Sequence, residues 1–157
     1  MTLRIGIGVD AHALERGVPL VLGGVRFDYD RGLAGHSDGD VLAHALVDAV
    51  LGAAGLGDIG SLFPSDDARY HGASSLDLLR EAYRQVEEGG WRLVNADCIL
   101  IGEQPRIAPQ REEMRRRLSE ALGGGEVNVR ATTTDHLGFT GRGEGLAAHA
   151  VALLERA

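Results

Sequence analysis

Lysine is absent from the sequence: all 16 basic side chains are arginine. With no side-chain primary amine, Schiff-base chemistry is excluded. So is a Walker A loop, which needs a lysine at the phosphates. Cysteine is nearly absent. Cys98 stands alone, so no internal disulfide can form, and its surroundings, NADCILIG, predict a small core residue on a strand. The motifs C-x-x-C, H-x-E and H-E-x-x-H do not occur, which removes zinc deaminases and zincins. There is no basic excess either. A net charge of −7 argues against nonspecific nucleic-acid binding, which needs a basic face. No apolar run approaches the roughly 20 residues of a membrane helix, and the N-terminus enters a strand pattern without a signal or transit segment. The expectation is a cytoplasmic protein with neither a nucleic-acid nor a membrane partner.

Glycine is abundant instead. The 23 glycines are about twice the ordinary share of ~7%, which predicts many tight turns or close backbone approaches to a ligand. A length of 157 residues fits one domain, 1–157.

Periodicity divides the chain. Leu3, Ile5, Ile7 and Val9 alternate with small or polar residues and predict a strand. VPLVLGGVRF predicts a hairpin turning at Gly23-Gly24. Val41, Leu42, Ala45, Leu46, Ala49 and Val50 have helical spacing, ended by Gly52 and Gly55. Residues 58–73 read as a loop. A Ser-capped helix over 74–90, a strand over 91–102 and a charged amphipathic helix ending at three glycines (123–125) follow. VNVRATTTD predicts a strand, HLGFTGRGEG a Gly-rich loop, and LAAHAVALLERA a closing helix. The alternation of strands and helices favours an α/β layer with helices on one or both faces.

Two stretches carry candidate chemistry. Asp10 and His12 are two residues apart near the end of the first strand, on the same side and about 7 Å apart along the chain. His44 shares a helical stripe with Asp40 and Asp48, away from most of the apolar residues. Asp10, His12 and His44 would supply one oxygen and two imidazole nitrogens, a set suited to Zn²⁺ with one position open. Ordinary Asp–His hydrogen bonding remains the alternative on spacing alone. Ser37 or Asp38 can cap the helix, which leaves His36 unexplained. Near the C-terminus, RATTTDHLGFTGRGEG brings hydroxyls, Asp135, Arg142 and loop amides together, all natural partners of phosphate or of a divalent cation. A plain strand–turn–helix junction is the alternative there.

GxGxDxH, GHSDGDVLAHALVDAVLGAAGLGDIGSLFP and ATTTDxLGFTGRGEG occur in this order across essentially the whole chain. With these motifs the sequence resembles the 2-C-methyl-D-erythritol 2,4-cyclodiphosphate synthase family of the non-mevalonate isoprenoid pathway. The resemblance implies an α/β subunit: a mixed β-sheet, helices on one face and a short β-hairpin. It implies a homotrimer with sheets facing the trimer axis, active sites between subunits, and room for a prenyl diphosphate on that axis. The implied substrate is 4-diphosphocytidyl-2-C-methyl-D-erythritol 2-phosphate. Its 2-phosphate attacks the β-phosphorus, giving the cyclic diphosphate and CMP.

By matching motif, the resemblance makes Asp10, His12 and His44 zinc ligands, and His36 and Thr133 the groups that assist the transition state. Asp135, where the family usually has Glu, would hold a second divalent ion, Mg²⁺ or Mn²⁺. The methylerythritol phosphate part would contact Asp58, Ile59 and Gly60, and the segment Phe63, Pro64, Ser65, Asp66 and Asp67. The cytidine would lie against Gly102, Glu103, Gln104, Pro105, Arg106, Ile107 and Ala108. Asp10, His12, His36, Ser37, Thr132, Thr133, Thr134, Asp135, Phe139 and Arg142 complete the implied substrate contacts. Arg106 and His136 stand where lysine is frequent. Two other classes remain open: a different zinc-dependent phosphoester enzyme, and a prenyl-diphosphate-binding module.

Overall fold

The N-terminal alternation becomes a 15-residue strand, β1 (Thr2–Arg16), in the computed structural model, which describes residues 1–157. Next come the hairpin strands β2 (Leu20–Leu22) and β3 (Val25–Phe27), then β4 (Arg31–Leu33) and helix α1 (Val41–Ala54). After the one-turn α2 (Ile59–Leu62) the chain forms α3 (Ser75–Glu88), β5 (Arg92–Ile101), α4 (Arg111–Ala121), β6 (Glu126–Thr132), the one-turn α5 (Gly138–Gly141) and β7 (Gly145–Arg156). The main sheet has the order β4-β1-β7-β5-β6. It is mixed: β5 and β6 run parallel, and the other pairs are antiparallel.

The fold corrects several expectations. The closing segment is no helix: β7 is the central strand, paired with β1 on one side and β5 on the other. Its alanines and leucines favour a helix locally, but two full ladders of backbone hydrogen bonds and period-two burial of Leu146, Ala148, Ala150, Ala152 and Leu154 override that preference. The first strand continues to Arg16, because β4 pairs with Leu14–Arg16, so Asp10 and His12 lie inside it rather than near its end. Residues 58–73 include α2 and a 3-10 turn at Ala68–Tyr70, and the Gly-rich segment includes α5. β6 stops at Thr132, short of the expected 135. The N-cap of α1 is Asp40, neither Ser37 nor Asp38. Ser74 holds the N-cap position of α3 without a side-chain capping bond.

The hairpin forms as expected, because Gly23 and Gly24 both adopt positive φ (59° and 77°) and so suit a two-residue turn. It is tied to α1 through Asp40, whose carboxylate accepts from Gly23 N (2.9 Å), Gly24 N (2.7 Å) and Ala43 N (3.2 Å).

Helix α4 packs against β6, α3 packs against α1 and α4, and α1 is seated on β1 and β7. That seat depends on backbone without side chains. A Cβ on Gly8 would stand 1.8 Å from the Ala45 carbonyl oxygen, and one on Gly6 would stand 2.0 Å from that of Ala49. Gly6, Gly8, Asp10 and His12 share one face of β1 by the two-residue period. The close contact of β1 with α1 therefore runs directly into the Asp10–His12 pair. The opposite face is uncovered: Ile5 is 74% and Ile7 67% exposed, beside exposed Leu3, Val9 and Val151.

Candidate metal centre and substrate cavity

Three ligand atoms converge where β1 meets α1. His12 Nε2 lies 2.9 Å and His44 Nδ1 3.0 Å from Asp10 Oδ2, and the two nitrogens are 3.3 Å apart. Tetrahedral zinc with bonds near 2.0–2.1 Å needs ligand atoms about 3.3 Å apart, so the triangle needs only a slight expansion. The donor set of one carboxylate oxygen and two imidazole nitrogens fits zinc and leaves one position open.

Each ligand is held from behind. The His12 Nδ1–H donates to the Ala34 carbonyl (2.7 Å), which turns the Nε2 lone pair inward. His44 Nε2 faces the hydroxyls of Ser75 (2.8 Å) and Ser37 (3.0 Å). The expected stripe is present, but its members do different work. Asp40 holds the hairpin, and Asp48 accepts from Ile59 N (2.7 Å), fixing the start of α2 beside the site. When the ring nitrogens of His12 and His44 that face Asp10 carry protons instead of a metal, they donate to its carboxylate; burial raises the pKa of Asp10, yet these hydrogen bonds outweigh it and hold the carboxyl at about 2. The same bond to Asp10 raises the pKa of His12 against the opposing effect of burial.

The triangle opens into a cavity of about 570 Å³. His36, Ser37, Ile59, Gly60, Phe63, Pro64, Ser65 and Asp66 line it together with Asp10, His12 and His44. Asp58 and Asp67 do not. Asp58 caps α2 through Ser61 N (2.8 Å), and Asp67 pairs with Arg69 (2.7 Å). Tyr70 and Leu78 reach the wall unforeseen. Neither occupies a chemically suggestive pattern, and only the fold of the 63–78 segment brings them there.

A second cavity, of about 280 Å³, is lined by the whole segment from Gly102 to Ala108 with Thr132 and Thr133. The end of β5 and the end of β6 meet there, since Ile101 pairs with Thr132. Thr134 N donates to Glu103 (3.2 Å), which fastens the two segments. Asp135 follows at φ 52°, close to the Thr133 hydroxyl (3.5 Å). Arg142 borders a small neighbouring cavity with Glu103 and Gln104 and pairs with exposed Glu144 (3.2 Å), and Phe139 is exposed. The cavity at the triangle and the second cavity share no lining residue. Within one chain, His36 and the metal triangle belong to one group, and Thr133 with the 102–108 loop to another.

Fold and site define an α/β protein in which three potential metal donors open into a cavity. The chain belongs to the YgbB family, whose model matches residues 3–155. It is 58% identical to the 2-C-methyl-D-erythritol 2,4-cyclodiphosphate synthase of Moorella thermoacetica, over 97% of this chain and 94% of that one. It superposes with a TM-score of 0.94 on the bifunctional IspDF of Campylobacter jejuni, at 42% identity, covering 99% of this chain and 43% of that one. A 2C-methyl-D-erythritol-2,4-cyclodiphosphate synthase in its CDP-bound form matches at a TM-score of 0.88 and 40% identity, covering 97% of this chain and all of that one. Relatives so named are enzymes of the lyase class, and this chain is a member of that enzyme family.

Proposed function

We propose that the protein converts 4-diphosphocytidyl-2-C-methyl-D-erythritol 2-phosphate to 2-C-methyl-D-erythritol 2,4-cyclodiphosphate and CMP, within isoprenoid precursor biosynthesis. The observation that carries this reading is the Asp10–His12–His44 triangle opening beside His36 into a cavity, in a chain 58% identical to a synthase of that name. A 2-phosphate oxygen forms a bond to the β-phosphorus. The bond from that phosphorus to the bridging oxygen breaks, and CMP leaves with the electron pair. The substrate brings its own nucleophile, so no activated Ser or Cys is needed. Cys98 fits that economy, because burial pushes its thiol up to about 12.

Phosphoryl transfer depends on positioning and charge neutralisation. Asp10, His12 and His44 would hold Zn²⁺, and Asp135 a Mg²⁺ or Mn²⁺ ion, which supply Lewis-acid polarisation of phosphoryl oxygens when bound. His36 contacts the reacting phosphates from the cavity wall, with Ser37 beside it. Ile59, Gly60 and the Phe63–Asp66 wall orient the methylerythritol part. The 102–108 loop reads the cytosine, Thr133 steadies the diphosphate, and Arg142 adds a fixed cation.

The protein acts as a homotrimer with each active site between two subunits. Two features support this: the residues of one reaction lie on two cavities that share no wall, and an apolar face of β1 and β7 is left uncovered. A ³¹P NMR time course with the cytidyl substrate tests the reaction. The expected products are CMP and a cyclic diphosphate, lost on chelation and restored by Zn²⁺ with Mg²⁺. A linear phosphate product would make the protein a hydrolase instead.

A further inference from the structure

Ser75 opens α3 and is completely buried. It lies 31 residues beyond His44 in sequence, yet its hydroxyl is 2.8 Å from His44 Nε2. The same hydroxyl bonds Asp38 Oδ1. Asp38 is itself fixed, since Oδ2 accepts from Ser75 N (3.1 Å) and Oδ1 from Asp40 N (3.1 Å). Proton bookkeeping orders this chain. A carboxylate only accepts, so the Ser75 O–H donates to Asp38. The Ser75 oxygen is then free to accept from a protonated His44 Nε2. That tautomer leaves the Nδ1 lone pair pointing at the triangle, 3.0 Å from Asp10 Oδ2 and 3.3 Å from His12 Nε2.

We propose that Asp38 and Ser75 form a hydrogen-bonded relay that sets the tautomer and ring angle of His44 for metal binding. Ser75 is thus a positioning residue of the metal centre, and the seating of α3 against α1 is what aims the ligand. Ser37, 3.0 Å from the same nitrogen and 3.3 Å from Ser75, is the competing acceptor. It lacks the carboxylate behind it that orders the Ser75 hydroxyl. The relay rests on the metal reading above, and outer-shell partners of this kind commonly carry 10- to 100-fold in metal affinity.

The test is zinc affinity by chelator competition on the wild type, Ser75→Ala and Ser75→Thr, with far-UV circular dichroism confirming each fold. Ser75→Ala is expected to bind zinc about 10- to 100-fold more weakly, and Ser75→Thr, which keeps the hydroxyl, to recover most of the loss. In parallel, ¹⁵N-histidine spectra of the zinc-loaded wild type should show His44 metal-bound at Nδ1 with a slowly exchanging Nε2–H. A wild type that binds no zinc overturns the metal centre and the relay together. Wild-type binding that is unchanged in a folded Ser75→Ala overturns the relay alone. If Ser75→Ala does not fold, the wild-type spectrum decides: zinc at Nε2, or a fast-exchanging Nε2–H, ends the proposal.

Discussion

His44 is buried on the first turn of a helix whose other inward residues are aliphatic, which makes it a costly residue unless it is bonded on both ring nitrogens. His44→Ala should remove zinc and nearly all turnover while leaving the fold. Retained turnover in the metal-stripped variant, followed by ³¹P NMR, would sink the metal reading. Proton competition sets a second expectation. Metal ligation needs a neutral His12, and the Asp10 bond raises that ring's pKa. Zinc affinity, measured by chelator competition, should therefore fall as pH drops through the raised value. In the metal-free protein the sign runs differently for Asp10. Its carboxyl is depressed from 3.8 to about 2, so its contribution to stability is present above roughly pH 4 and is lost as pH falls towards 2. Thermal unfolding of chelated wild type and Asp10→Asn across that window checks this: the acid-dependent loss should be smaller in the variant.

At the scale of elements, Asp40 joins helix to hairpin. Asp40→Ala removes the α1 cap and leaves the amides of Gly23 and Gly24 unpaired, an expected cost of about 3 kcal/mol by urea unfolding. Gly8→Ala probes the seat of α1. Its new methyl would meet the Ala45 carbonyl, so the helix must lift, at a cost of about 2 kcal/mol or more and with weakened zinc binding. A Gly8→Ala protein of wild-type stability would contradict the close approach. The elements were unevenly legible. Helix α1 and the Gly-Gly hairpin stood out because local periodicity and turn chemistry agree with their tertiary roles. β7 did not, because its alanines read as helix and only pairing on both edges makes them strand.

For the whole molecule, the uncovered stripe of β1 is the decisive surface. An isolated subunit would expose Leu3, Ile5, Ile7 and Val9 together, the kind of contiguous apolar patch that marks an interface. Sedimentation should give three times the chain mass for the wild type. If each active site lies between two subunits, as proposed, Ile5→Glu with Ile7→Glu should yield monomers that keep zinc affinity but have little turnover. Full activity in such monomers would place the reaction within one chain.

Much of this was readable without coordinates. Asp10, His12 and His44 could be read as metal donors from residue type and spacing, whereas particular roles for His36 and for the TTTD and GRGEG segments came only from the family resemblance. Bonds made at long range were not readable. Ser75 looked like a helix cap, Asp38 like another, and nothing marked the Ala34 carbonyl that orients His12. The sequence by itself determined which donors are present and which chemistries are excluded, since those depend only on side-chain identity and local spacing. Only the tertiary structure decided which donor atoms converge, which hydrogen-bond partner stands behind each ring, and which strand lies at the centre of the sheet. Those depend on hydrogen bonds and helix–sheet contacts between segments far apart in the chain.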